Sequence, residues 1–296
     1  MTKSVSVSML RRVTTRGVNQ GHGLGKESEH TKRRLTVAVI SHKPYRMPTD
    51  PMYMPLHVGA ALYPDVLPDW VQDNTGDNIS ERNAKYSELT GLYWMWKNDD
   101  SDYQGIVHYR RHFGTTNRFA HIVRRDRFER VVGSEEILGL LENHDIILPH
   151  RRNYYIETIY NHYAHTFPGE QLDTTRDIIA EQQPEYLPAF DALMKGKKAH
   201  MFNMFVMSRE KLGEYCGWLF AILVELERRT DDSAYSAFNA RYPGRISEML
   251  MDVWLNTREY SYAELPVISP ETVNWVKKGN GFLMAKFGGK KYGKSF

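Results

Sequence analysis

Cysteine is nearly missing from this sequence: Cys216 is the single one among 296 residues. That excludes a disulfide framework and any zinc cluster built on cysteines, and it fits a reducing cytoplasm. Long apolar runs are missing too. No stretch of about 18 residues has the continuous hydrophobicity of a membrane-crossing helix. Phosphate and redox fingerprints are absent: there is no GxxxxGK[ST], no GxGxxG after a strand, no GxSxG and no HExxH. What remains is a globular composition, 41% hydrophobic, 25% charged and 12% aromatic, long enough to bury a large core.

The net charge of +3 hides an uneven distribution. Residues 1–34 carry eight Lys or Arg against Glu27 and Glu29, and 277–296 carry six Lys and no acid. The body between them has 25 bases against 34 acids, a net of −9. We read 1–34 as a disordered basic leader, 35–276 as the folded domain and 277–296 as a basic tail. Such tails seek polyanions, either anionic lipid or nucleic acid. The acidic body argues against a nucleic-acid partner, because nucleic-acid domains are basic on their folded faces. Trp275 just before the tail and Phe282, Phe287, Tyr292 and Phe296 within it stand among the lysines. That mixture suits an anionic membrane surface, and five glycines oppose a regular helix there.

Strands are expected at 35–41, 103–108, 144–149, 200–207 and 264–268, all short β-branched or apolar runs. Helices are expected at 80–98, from 134 with Ser134 as cap, over 153–165 and 174–194, from Ser208 to Arg229, and at 246–255. The proline-rich stretch 42–79 reads as one long functional loop. Strands alternating with helices predict an α/β domain with a mostly parallel sheet flanked by helices.

Chemistry concentrates at strand ends, where ligands bind in open α/β sheets. GIVHYRRHF (105–113) places His108, Tyr109, Arg110 and Arg111 beyond one strand. Arginine forks match phosphate oxygens, although acids of the body would also satisfy them. SHKPY (41–45) adds His42, Lys43 and Tyr45 at the end of the first strand. Near the start of the 80–98 helix lie Asn78, Ser80, Asn83 and Glu88. GRISEMLMDVWL (244–255) puts Glu248 and Asp252 four apart on one helix face, where one carboxylate can act as a general base. His162 and His165 have a spacing that suits metal ligation or ordinary surface histidines.

Taken in order, SHK, DNIS with ELTGLYWMWKN, GIVHYRRHF, HMFNMFVM and GRISEMLMDVWL resemble a bacterial family associated with galactofuranosyltransferases of capsule, exopolysaccharide and O-antigen synthesis. The likeness covers about 35–270. It implies a GT-A-like, Rossmann-like fold, a UDP-galactofuranose donor, a lipid-linked glycan acceptor and inversion at the anomeric carbon. It also implies a cytoplasmic enzyme held peripherally at the inner face of the plasma membrane. On this basis Glu248 is the expected catalytic base, with Asp252 and His108 as alternatives. The expected donor-binding residues are His42, Lys43, Tyr45, Asn78, Ser80, Asn83, His108, Tyr109, Arg110 and Arg111. GT-A enzymes carry an Asp-x-Asp metal motif at a strand end, where this chain reads His-Tyr-Arg-Arg. Asp99, Asp100 and Asp102 precede that strand instead. No cofactor is therefore expected, although His108 remains able to ligate a divalent metal. A UDP-pyranose transferase, a nucleic-acid-binding protein and a non-catalytic scaffold are the competing readings.

Overall fold

The structure, a computed structural model, describes residues 33–270. The leader and the lysine tail lie outside these residues, apart from the last two positions of the leader. The chain begins with β1 (Leu35–Ser41), β2 (Tyr53–His57) and β3 (Val71–Gln72). Next come α1 (Asn83–Tyr86), α2 (Leu89–Asn98), β4 (Tyr103–His108), β5 (His112–Phe113) and α3 (Arg118–Val123). The middle holds α4 (Ser134–Leu141), β6 (Ile146–Pro149), β7 (Arg152–Asn153), α5 (Ile159–Ala164), α6 (Glu170–Gln182) and α7 (Leu187–Lys195). It closes with β8 (Lys198–Ala199), β9 (Phe205–Ser208), α8 (Arg209–Arg229), α9 (Tyr242–Arg258), β10 (Tyr262–Leu265) and β11 (Val267–Ile268).

Seven strands form one sheet in the order β10-β6-β9-β4-β1-β2-β3. Every neighbouring pair is parallel except those made by β9, which runs antiparallel to both β4 and β6. The fold is therefore α/β with a mostly parallel sheet between helices. Alternation along each strand divides the core by face. Ala38, Ile40, Ile106, Phe205 and Met207 join the larger core, which also buries Leu89, Leu92, Leu219 and Trp254 of the helices. Val37, Val39, Val107 and Val206 face the smaller core, with Ile137 and Leu141 of α4.

Several elements differ from the sequence expectation, each for a physical reason. The 42–79 loop contains β2 and β3; its prolines hid them, since Pro55 sits within β2 opposite Val39. The 80–98 helix is broken at Ser87, whose φ is +52°. A single turn over Ser80–Arg82 and α1 precede the break, and α2 follows it. Ser134 is the first helical residue rather than the cap. Its N–H donates to Asp50 Oδ2 at 2.8 Å, so a distant carboxylate does the capping. The expected 153–165 helix is reduced to α5, capped by Thr158 and preceded by β7. Pro184 separates α6 from α7, and Pro266 separates β10 from β11. The helix expected at 246–255 begins earlier, at Tyr242: Pro243 stands in its first turn, where a missing N–H costs nothing. Residues 200–204 leave the expected strand because Phe202 and Asn203 take φ of +84° and +47°.

The loop after β2 is fixed by a buried carboxylate. Asp73 accepts from the N–H of Gly59 and of Ala60, each at 3.0 Å, from Thr90 Oγ1 at 2.6 Å and from the Ser80 hydroxyl. Gly59 needs its φ of +74°, and an added Cβ there would collide with Asn83 Oδ1 at 2.8 Å. Replacing Asp73 by Ala strands these buried donors, at about 1–3 kcal/mol for each group left unsatisfied. We expect Asp73→Ala to lower unfolding free energy by at least about 3 kcal/mol in urea titrations, whereas a loss below about 1 kcal/mol would show that water replaces the carboxylate.

Candidate functional site

The strands β1, β2, β4 and β6 all finish on one edge of the sheet, and β9 begins there because it runs the other way. A cleft of about 1500 Å³ opens at this edge. Its lining includes His42 after β1, His108 at the end of β4 with Tyr109 to Arg111 after it, and Arg152 after β6. The far wall comes from α9 and its approach: Arg241, Gly244, Arg245, Glu248 and Met249. The break at Ser87 turns Ser87 and Glu88 into the cleft, and Asn83 lines it as well.

Five arginines and four histidines line this space, against Glu88, Glu157 and Glu248. Burial pushes the Arg111 guanidinium below its usual value; Glu248 nearby opposes that shift, and Arg110 and Arg245 add to it. Burial likewise holds His108 below the ordinary histidine value, with Glu88 opposing. Aromatic faces carry several of the cations. The Arg111 guanidinium lies 4.5 Å from the Phe202 ring centre, and Arg110 and Lys43 lie 5.1 and 5.2 Å from that of Tyr109.

Glu248 is only 6% exposed. Its Oε2 accepts from the Phe202 N–H at 3.2 Å and its Oε1 from Arg245 Nη1 at 3.0 Å. The opposite end of the same residue is also held, since His108 Nε2–H donates to the Phe202 carbonyl. Asn203 follows: its Nδ2 donates to Glu88 Oε1 at 2.9 Å and to the Gly244 carbonyl at 3.1 Å, while its Oδ1 accepts from Ser247 Oγ at 3.1 Å. Two consecutive left-handed residues without glycine cost roughly 1–3 kcal/mol each, and these side chains hold them in place.

Of the residues singled out by sequence, His42, Asn83, His108, Tyr109, Arg110, Arg111 and Glu248 meet at the cleft. Lys43 and Tyr45 stand just behind it, packed on Tyr109. Ser80 and Asn78 do not join them. The Ser80 hydroxyl is buried against Asp73, and the Asn78 side chain donates to the Gly76 carbonyl and accepts from Ser80 N–H. Asp252 lies outside the cleft, 2% exposed, with Oδ1 on His200 Nδ1 at 2.6 Å and Oδ2 accepting from His200 N–H at 2.7 Å. His162 and His165 share the Glu157 carboxylate, at 3.2 and 3.5 Å. Among the described residues, no group of three or more side chains is arranged to hold a metal ion. Asp100, before β4, pairs with Arg34 at 3.0 Å.

Sequence reasoning missed Arg152, Arg241 and Arg245. Arg245 was within reach, standing three residues before Glu248 on one helix. Arg152 follows a strand end and obeys the rule that found Arg110. Arg241 offers no local signal; its Nε reaches Ser87 Oγ at 2.9 Å across the fold.

The family model described as a domain of unknown function (DUF4422) matches residues 36–259, and the chain belongs to this family. No curated protein matches the sequence. Among solved structures, the apo form of WbbM, a bifunctional glycosyltransferase, superposes with a TM-score of 0.71 at 27% identity. The match covers 80% of this chain and 45% of that one, so the chain spans less than half the length of that protein.

His112, fully buried against Tyr53 and Phe128, leads us to expect an acid-sensitive stability. Burial lowers its pKa to about 4; the Tyr109 backbone opposes the shift and His108 adds to it. The unfolded chain binds this proton near pH 6.5, so between about 6.5 and 4 the unfolded state holds more protons. This contribution to stability is complete above about pH 6.5 and is lost as pH falls towards 4. We expect the unfolding free energy to drop between pH 7 and pH 5, and His112→Phe, which keeps the ring contacts with Tyr53 and Phe128, to flatten that drop. Parallel slopes for both proteins in urea titrations would contradict this.

Proposed function

We infer that this member of the DUF4422 family is a glycosyltransferase acting on a sugar nucleotide. The observation that carries the reading is the cleft, where arginines converge beside one immobilised carboxylate at the carboxyl ends of parallel strands. Cationic forks at this edge suit a nucleoside diphosphate, the group that must leave with developing negative charge. The likeness to a bifunctional glycosyltransferase supports the same chemistry.

The proposed reaction is a single in-line displacement. Glu248 takes the proton of an acceptor hydroxyl, the oxygen attacks the anomeric carbon, and the bond to the diphosphate breaks with inversion. Arg110 and Arg111 stabilise the leaving diphosphate, while His42 and Tyr109 border the donor. Arg245 and the Phe202 N–H orient the carboxylate towards the cleft. The family resemblance favours UDP-galactofuranose as donor and a lipid-linked glycan as acceptor, at the cytoplasmic face of the plasma membrane. Guanidinium groups stand where a metal-holding carboxylate pair would be needed, so turnover without a divalent metal is part of the proposal.

Three outcomes follow. Glu248→Gln is expected to lose roughly 10²–10⁴-fold in turnover while UDP still binds, because a base acts on the acceptor proton. Unchanged turnover would remove Glu248 from the mechanism. Arg110→Ala or Arg111→Ala is expected to weaken UDP by about 1.5–3 kcal/mol and uridine much less, as read by calorimetry. Equal weakening of both ligands would make the arginines structural. Turnover is expected to persist in EDTA; silence in EDTA with recovery on adding Mn²⁺ would refute metal independence.

A further inference from the structure

Residues 114–131 leave the body and return to it at a pinned base. Gly114 pairs with Val131, Thr115 N–H donates to the Arg130 carbonyl at 2.9 Å, and Val132 N–H donates to the Phe113 carbonyl at 2.9 Å. Glu136 fastens the near end, accepting from Thr115 Oγ1 at 2.5 Å and from Thr116 N–H at 2.7 Å. The excursion is therefore anchored, yet its helix α3 turns apolar side chains outward. Phe119 is 71% exposed, Ile122 80% and Val123 57%, whereas Ala120 is buried. The three exposed residues fall at i, i+3 and i+4 and so share one face. This is the reverse of an ordinary surface helix, whose apolar face turns inward.

Charge surrounds that face. Residues 118–130 hold Arg118, Arg124, Arg125, Arg127 and Arg130 against Asp126 and Glu129. Asp126 is already paired with Arg46 at 2.6 Å, so the local balance is more cationic still. Arg127 donates to the carbonyl of Ser269 at 3.1 Å.

We propose that α3 is a docking tip that inserts Phe119, Ile122 and Val123 into the interface of an anionic lipid bilayer, with the surrounding arginines on the headgroups. Aromatic and aliphatic side chains ringed by basic residues are the composition of interfacial helices. Each basic residue near an anionic surface adds attraction that salt screens. A small apolar face set among arginines, with Asp126 already paired to Arg46, is complementary to an anionic headgroup layer, which favours a bilayer. The tip also has a path to the cleft. Phe128 packs on Tyr45 and Tyr45 on Tyr109, with ring centres 6.4 and 5.1 Å apart. Only the choice of a bilayer that carries the acceptor rests on the transferase reading.

The test uses the full chain and sedimentation with vesicles of phosphatidylglycerol and phosphatidylcholine in equal parts. Phe119→Ser with Ile122→Ser is expected to weaken binding by about tenfold or more, since two buried apolar side chains are lost. Arg118→Glu with Arg125→Glu is expected to weaken it at low salt and to leave little difference at high salt. Both variants should bind UDP as the parent does, which reports that the cleft is intact. Equal sedimentation of parent and apolar variant overturns the proposal, as does equal binding to pure phosphatidylcholine vesicles. Failure of UDP to bind the parent would instead defeat the transferase reading and leave the vesicle result standing.

Discussion

The main chain of Phe202 is clamped from both ends, and the cleft is built around that clamp. Its N–H is held by Glu248 of α9 and its carbonyl by His108 at the end of β4. Asn203 extends the hold to Glu88 beside the helix break and to Gly244 at the start of α9. Three separate stretches of chain thus meet on two consecutive residues with positive φ. The His200 anchor performs a similar task one turn further along α9, through Asp252.

This arrangement concentrates positive charge in an otherwise acidic body. Five guanidinium groups share one cleft with three carboxylates, of which Glu248 and Glu88 are held by the clamp. Like charges gathered in a partly buried space repel, and burial alone already lowers the Arg111 value. Such a site is most comfortable with an anion present. A diphosphate supplies two negative charges in the geometry that guanidinium forks match. In the proposed reaction the Phe202 N–H and Arg245 hold the Glu248 side chain in place beside the leaving diphosphate.

Much of the fold was legible because local rules decide it. LTVAVIS and YQGIVH are strands in both readings, and Ser208 caps α8 by accepting from Lys211 N–H. His108 to Arg111 could be placed at an edge of the sheet by the strand-end rule alone. What escaped depends on contacts distant in sequence. The break at Ser87 is fixed by Asn83 and Arg241, neither of which marks a helix end. Phe202 and Asn203 carry no glycine to announce a positive φ. Ser80 looked like a ligand for a nucleotide, yet it serves Asp73 because the loop after β2 needs a buried acceptor.

A donor screen tests the central claim most directly. The purified chain is offered UDP-sugars, including UDP-galactofuranose and UDP-galactopyranose, with a lipid-linked glycan acceptor, and UDP release is measured. The account predicts release that requires the acceptor and is fastest with UDP-galactofuranose. Fastest release with the pyranose would keep the transferase and change its sugar. No acceptor-dependent release with any UDP-sugar would contradict the reading of the arginine cleft as a glycosyl-transfer site.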